Sequence, residues 1–266
     1  MAIESSGHWY RADGSACFQL PSKSKPGTTR GVTLRDAREL GLLPSVTTIL
    51  SVLSKGALEK WKMEQVAKAC WRDLSKPMVD IPAEDTYVRG MIDNAFQQVD
   101  AAASLGTDIH DALEKHFQGR IDFASHLQVY VDAVDKWAKS EGIEFEKHEL
   151  HLVNQAGGYA GTTDAIIRCK RGRGILDFKS RKTTAGKPCT PYDTQPIQIA
   201  AYHAAAGLMP LSFYHCGVNV FISTTEPGRV EATWYDHEQL ERELEAFDAA
   251  LTLWRHLRNF DPRFVS

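Results

Sequence analysis

The chain from residue 157 to residue 202 contains Gly157-Gly-Tyr-Ala-Gly161-Thr-Thr-Asp164, then Ala165-Ile-Ile167, a short basic turn, Ile175-Leu-Asp177-Phe-Lys179-Ser180 and, after a loop, Gln198-Ile-Ala-Ala-Tyr202. Side chains alternate along a strand, so Asp177 and Lys179 share one face while Phe178 leaves by the other. Asp164 closes one extended run and precedes another. The segment Arg168–Gly174 is short and carries two glycines, which suits a hairpin that brings Asp164 close to Asp177. Carboxylate oxygens of this kind suit magnesium or manganese. A lysine beside them can orient a water or steady a developing oxyanion, so the stretch predicts metal-assisted phosphodiester hydrolysis.

These residues resemble the PD-(D/E)XK nuclease superfamily and, within it, the RecB-like exonuclease branch. The resemblance is carried by Gly161-Thr-Thr-Asp164, by Asp177-Phe-Lys179, and by Gln198 with Tyr202 in a Gln-x-x-x-Tyr pattern. Upstream, Gly106-Thr-Asp-Ile-His110-Asp-Ala-Leu-Glu114 is similar to the helix that supplies a histidine metal ligand in those enzymes. The resemblance implies an αβββαβ core, a mixed sheet flanked by helices. It implies one or two Mg2+ or Mn2+ ions held by His110, Asp164, Asp177 and the Phe178 backbone carbonyl, with Lys179 positioning the attacking water. Gln198 and Tyr202 would contact the DNA strand and help order the site. Glu149 matches the early acidic residue found in many of these nucleases, and Glu114 either holds His110 in its metal-binding tautomer or pairs on the surface. The implied activity is exonucleolytic hydrolysis from DNA ends, leaving a 5'-phosphate, in phage or bacterial recombination, repair or DNA processing.

Composition agrees with a packed globular protein: 43% of the 266 residues are hydrophobic and 24% charged. The five cysteines never stand as Cys-x-x-Cys, which argues against a disulfide scaffold or zinc ribbon. For the same reason no four-cysteine iron-sulfur cluster of the kind some RecB-like relatives carry is expected. The N-terminus lacks a secretory or mitochondrial leader pattern and no apolar run approaches spanning length, so a soluble, cytoplasmic protein without membrane partners is expected. No Gly-x-x-x-x-Gly-Lys sequence occurs, so no nucleotide cofactor or built-in helicase is expected. Free-ended or single-stranded DNA is therefore the expected partner, with a recombinase, single-strand-binding protein or helicase as protein partners.

The formal net charge is -3, but residues 168–187 alone carry a net +7. Arg168, Lys170, Arg171, Arg173, Arg181 and Lys182 thus read as contacts to the DNA backbone, against the plainer alternative of a solvated basic loop. Ser45 and Thr47, in Pro44-Ser-Val-Thr-Thr48, read either as a helix cap or as phosphate ligands. Phage and mitochondrial members of the resembling group have a similar stretch followed by a tryptophan-bearing helix, here with Trp61. Alone, His110 on an apolar helix face would read as a core histidine.

Helices are expected over 34–41, 56–74, 83–105, 106–119, 125–140, 195–207 and 236–258, with Pro77 and Pro82 breaking the second from the third. Strands are expected near 147–154, 158–168, 174–180, 213–223 and 228–235, with Glu149 and His151 on one face of the first. Residues 104–266 are expected to form the nuclease core, and residues 1–103 a mostly helical extension capping the DNA channel. Three alternatives remain open in the sequence. A structure-specific or restriction-type endonuclease would use the same core. An HD-type phosphohydrolase, suggested by His110-Asp111, would leave the strand-borne Asp-x-Lys unexplained. A non-catalytic DNA-binding scaffold would keep these residues without turnover.

Overall fold

The structure, a computed structural model, describes residues 7–53, 56–73 and 84–264. Pro77 and Pro82 lie outside them, as do the side chains of residues 57–58 and 96–103. The N-terminal part holds short strands β1 (Trp9–Tyr10), β2 (Gln19–Pro21) and β3 (Thr29–Gly31), then helix α1 (Leu34–Leu40), β4 (Leu43–Pro44) and α2 (Val46–Leu50). Two longer helices follow, α3 (Gly56–Asp73) and α4 (Glu84–Phe117), and then α5 (Gln128–Glu141). The remaining elements are β5 (Glu144–Asn154), β6 (Tyr159–Cys169), β7 (Gly172–Arg181), α6 (Thr194–Ala205), β8 (His215–Ser223), β9 (Val230–Tyr235) and α7 (His237–Arg258).

Strands β5 to β9 form one mixed sheet in sequence order, antiparallel except for the parallel pair β7 and β8. A two-residue Lys170-Arg171 loop, followed by Gly172 at φ 120°, closes the β6–β7 hairpin. The parallel pair needs a crossover, which α6 supplies. Interior strand β8 is buried along nearly its whole length, as an apolar run Gly217-Val-Asn-Val-Phe-Ile222 requires.

One face of the sheet packs against α4 and α5 through Ile109, Leu113, Val131 and Val134 against Ile167, Leu176, Phe178 and Val220. The other face packs against α6 and α7 through Ile199, Tyr202, Leu240, Phe247 and Trp254. The N-terminal residues belong to this second core. Trp9, Val46 and Ile49 are part of it, and the rings of Trp9 and Trp254 lie 6.2 Å apart. Among the described residues no helix is long and apolar enough to cross a membrane.

Two expectations are corrected. The separate helices expected over 83–105 and 106–119 are one helix, because Gly106 does not end it. A Cβ at Gly106 would meet Ser180 Oγ at 2.4 Å, so this glycine lets α4 lie directly on β7. The alternation expected along β5 also fails at Glu149, whose φ of 43° is left-handed. On one side of it His148 stacks on Phe117, in the layer beneath α4, while beyond it Leu150 and Leu152 pack in the core beneath α6 and α7. Paired strand β6 makes the same exchange, Ala165 and Ile167 lying in the first core and Tyr159 in the second. The sheet therefore turns over at the level of Glu149 and Asp164.

Candidate active site

The β6–β7 ladder runs from Cys169 opposite Gly172 to Ala165 opposite Leu176 and goes no further. Beyond that point β6 stays with β5, and β7 stays with β8 through Arg181. Asp164 and Asp177 are the first residues past the last pair, so they stand where the two strands part. Asp164 Oδ2 accepts the Phe178 N–H at 2.5 Å, a side chain taking over the bond that the ladder no longer makes. Phe178 is itself fixed, its ring buried in the core under α4.

Asp177 is 4% exposed, and its Oδ2 lies 2.5 Å from Lys179 Nζ, which leaves β7 on the same face. Asn219, opposite it on β8, donates from Nδ2 to the same Oδ2 at 2.9 Å, and Tyr235 on β9 donates its O–H to Asn219 Oδ1 at 2.7 Å. Burial and the Asp177 charge push the Asp164 carboxyl well above the usual carboxylate range, with Lys179 opposing. Burial pulls Lys179 down, but the charges of Asp177 and Asp164 and the Asp177 hydrogen bond outweigh it, so its ammonium is held on more firmly than in water.

From α4, one turn beyond Gly106, His110 brings Nδ1 to 4.0 Å from Asp164 Oδ1 and its ring edge-on to Phe178 at 6.4 Å. Burial and the Lys179 charge lower its pKa, so the imidazole is neutral and available as a ligand at neutral pH. Glu114, a turn further, accepts from Gln118 Nε2 at 2.9 Å, a bond along the helix surface and not one to His110. Glu149 is pushed up to about 7 by burial and by the charges of Glu114 and Asp177. His110, Asp164, Asp177 and Glu149 thus lie near the parting of the two strands, with Lys179 beside them. Among the described residues no three of them already stand together as a formed metal cluster.

Tyr202 and Gln198 are on the same face of α6, and Gln198 Nε2 donates to the Tyr202 hydroxyl at 3.0 Å. A Cβ at Gly161 would lie 2.6 Å from the Tyr202 ring, so the glycine of Gly161-Thr-Thr-Asp164 lets that ring rest on β6. Burial and the Asp177 charge raise the Tyr202 pKa, and its hydroxyl stays protonated. Three residues that sequence reading passed over also meet here. Tyr10 shares a 2.9 Å hydrogen bond with Thr162, two residues before Asp164; Asn219 and Tyr235 back Asp177. Asn219 carried a legible signal, a lone amide inside an apolar strand.

The eight basic residues of 168–187 divide between the two ends of β7. At the hairpin end Arg168 and Arg173 bind Glu146 at 2.8 and 2.7 Å, and Arg171 stacks over Trp234 at 4.8 Å. Lys170 shares that turn, so the group lies four (Arg173) to seven (Lys170) residues along the chain from Asp177, or nine for Arg168 on β6, and the first two correspond to roughly 13–23 Å at strand spacing. At the open end Arg181 stacks on Tyr192 at 4.6 Å, and Lys182 is exposed. Ser45 is buried and spends its hydroxyl as the α2 cap, accepting the Thr48 N–H at 3.0 Å, while Thr47 is exposed.

The site lies in a mixed five-stranded α/β sheet with helices packed on both faces. No family model matches the chain, and no curated protein matches it. Among solved structures, the alkaline exonuclease LHK-Exo from Laribacter hongkongensis is 15% identical, covering 81% of this chain and 91% of its own, with a TM-score of 0.36. The same enzyme in complex with dAMP is 16% identical over 57% and 82%, with a TM-score of 0.31. The structure of SSO0001 is 14% identical over 75% and 87%, with a TM-score of 0.32.

Proposed function

We propose that the protein is a metal-dependent DNA exonuclease of the PD-(D/E)XK type. The observation that carries this reading is the placement of buried Asp177 and half-buried Asp164 and Lys179 at the parting of β6 and β7, beside a histidine and two further acids. Asp164 and Glu149, each pushed up by burial and by neighbouring acids and with Lys179 as the nearby cation, mark a spot short of positive charge, and hard oxygen donors with a neutral imidazole fit magnesium or manganese. His110, Asp164, Asp177 and the Phe178 carbonyl would hold one or two such ions, with Glu149 and Glu114 as further oxygen donors. A bound ion there supplies Lewis acidity toward the phosphate and a more acidic water.

The remaining work falls to side chains of this chain. Protonated Lys179 is a hydrogen-bond donor and a cation, so it orients the attacking water and steadies charge on the phosphate oxygens. Tyr202 and Gln198 offer neutral polar groups at the wall of the opening to position the DNA strand. Arg181 and Lys182 lie at the open end of β7 for contact with phosphates, and Arg168, Lys170, Arg171 and Arg173 lie along the sheet for DNA that extends further. Thr47 and the Ser45 turn would belong to the N-terminal extension that caps the DNA channel in this reading.

The test compares wild type with Asp177→Ala on end-labelled linear single- and double-stranded DNA and on covalently closed circles, with Mg2+ and with chelator. Metal-dependent loss of linear DNA alone, abolished in the variant, is the expected result. Nicked or linearised circles would make the enzyme an endonuclease. Wild-type cleavage by Asp177→Ala would remove Asp177 from the site.

A further inference from the structure

Asp177 has one oxygen that is spoken for and one that is not. Both of its side-chain contacts, Lys179 Nζ at 2.5 Å and Asn219 Nδ2 at 2.9 Å, fall on Oδ2. The direction of the Asn219 amide is itself determined. The Asp177 carboxylate only accepts, so the NH2 end of Asn219 turns toward it, and the carbonyl end Oδ1 is left to accept the Tyr235 O–H at 2.7 Å. All three groups are buried: Asn219 is 0% exposed, Tyr235 2% and Asp177 4%. They cross three adjacent strands, since Asp177 is in register with Asn219 and Tyr235 lies on β9 beside it.

An asparagine in the middle of a strand that is otherwise Gly217-Val-x-Val-Phe-Ile222 carries a desolvation cost that valine would avoid. That cost is offset only when both ends of the amide are bonded, as they are here. The chain Tyr235–Asn219–Asp177 is therefore complete and points one way, ending on a single carboxylate oxygen.

We propose that Asn219, set by Tyr235, is a positioning residue: it holds Asp177 Oδ2 so that Oδ1 is the oxygen presented to a divalent cation at the opening between β6 and β7. The inference rests on the metal-dependent nuclease reading above. Lys179 alone does not fix the carboxylate, because its ammonium sits on a flexible stem; the strand-borne amide does. When Lys179 turns toward substrate, Asn219 keeps Asp177 from rotating.

The experiment titrates Mn2+ into DNA-free protein by calorimetry, for wild type, Asp177→Ala, Asn219→Leu, Tyr235→Phe and the Asn219→Leu/Tyr235→Phe double variant. Thermal melts run alongside, and kcat and KM on linear DNA are measured at saturating Mn2+. Asn219→Leu should bind Mn2+ on the order of 10-fold more weakly and lose kcat with little change in KM for DNA. Tyr235→Phe keeps the ring, serves as the folded control, and should show a smaller loss of Mn2+ affinity in the same direction. The double variant should be no worse than Asn219→Leu, since Tyr235 acts through the amide. Wild-type Mn2+ affinity in Tyr235→Phe and in any folded Asn219→Leu, with Asp177→Ala unable to bind, overturns the positioning role while leaving the nuclease reading intact. If wild type itself neither binds Mn2+ nor cleaves, both readings fall together.

Discussion

At the residue scale, Glu149 combines a strained backbone with a displaced proton. A non-glycine residue at φ 43° inside a strand costs of the order of 1–3 kcal/mol and persists only where its surroundings over-determine it. Its carboxyl, raised from 4.5 to about 7, also makes metal-free stability depend on pH. Below about 4.5 both folded and unfolded chains hold this proton. Between about 4.5 and 7 the unfolded chain releases it first, so the folded state loses stability as pH rises through the folded value. Glu149→Gln removes that loss. It should raise the stability of metal-free protein by about 1–2 kcal/mol at pH 8, after allowance for solvent screening, and by almost nothing at pH 4. Chemical denaturation at the two pH values checks this, and an equal gain at both would show that charge is not the cause. Asp164→Ala should abolish cleavage at every pH, with folding retained in a thermal melt.

At the element scale, the decisive contact is α4 against β7. Glycine inside a helix normally costs about 1 kcal/mol relative to alanine, so Gly→Ala usually stabilises. At Gly106 the sign should reverse, because the new methyl would stand 2.4 Å from Ser180 Oγ. Gly106→Ala should lower stability by roughly 1–2 kcal/mol and lift His110 from Asp164, cutting activity at limiting metal more than at saturating metal. Ser180→Ala in the same chain removes the obstructing oxygen and should restore most of both. Failure of that rescue, read from paired denaturation curves, would mean that Gly106 matters for another reason. The helix ends needed less: Asp236 caps α7 by accepting the Gln239 N–H at 2.8 Å, and Gly142 ends α5 in the left-handed conformation.

At the scale of the whole molecule, the described residues before α3 complete the second core. Trp9, Val46, Ile49 and Leu50 pack with Phe247, Ala250, Leu251 and Trp254 from the far end of the chain. A protein beginning at residue 54 should therefore lose the cooperative melting transition, as measured by calorimetry, and an intact transition would contradict a shared core. Charge acts at the same scale. With a net charge of -3, the DNA binding proposed above would have to come from a local surface. Replacing Arg181 and Lys182 by alanine should lower the slope of log affinity against log salt by about 1–2, whatever the DNA sequence. An unchanged slope would move the backbone contacts to the hairpin end of β7.

The Asp177-Phe-Lys179 alternation, the hairpin around Lys170-Arg171, the Gln198 and Tyr202 spacing and the order of strands and helices were legible in the chain, because each is a local rule of period or turn chemistry. The break expected between residues 105 and 106 is absent because the role of Gly106 is a contact with Ser180, 74 residues away in sequence, and no local pattern records such a distance. The left-handed Glu149 broke an alternation that the sequence implied. Basic residues adjacent in sequence were separated because β7 carries them to opposite ends of one strand. The sequence by itself determined which chemical groups are present and which face of a strand or helix bears them. The hairpin already implied that Asp164 lies near Asp177; only the tertiary structure decided that β6 and β7 part at these two residues and that one oxygen of Asp177 is held from behind by Asn219, since ladder length and burial are properties of the packed sheet and not of any one segment.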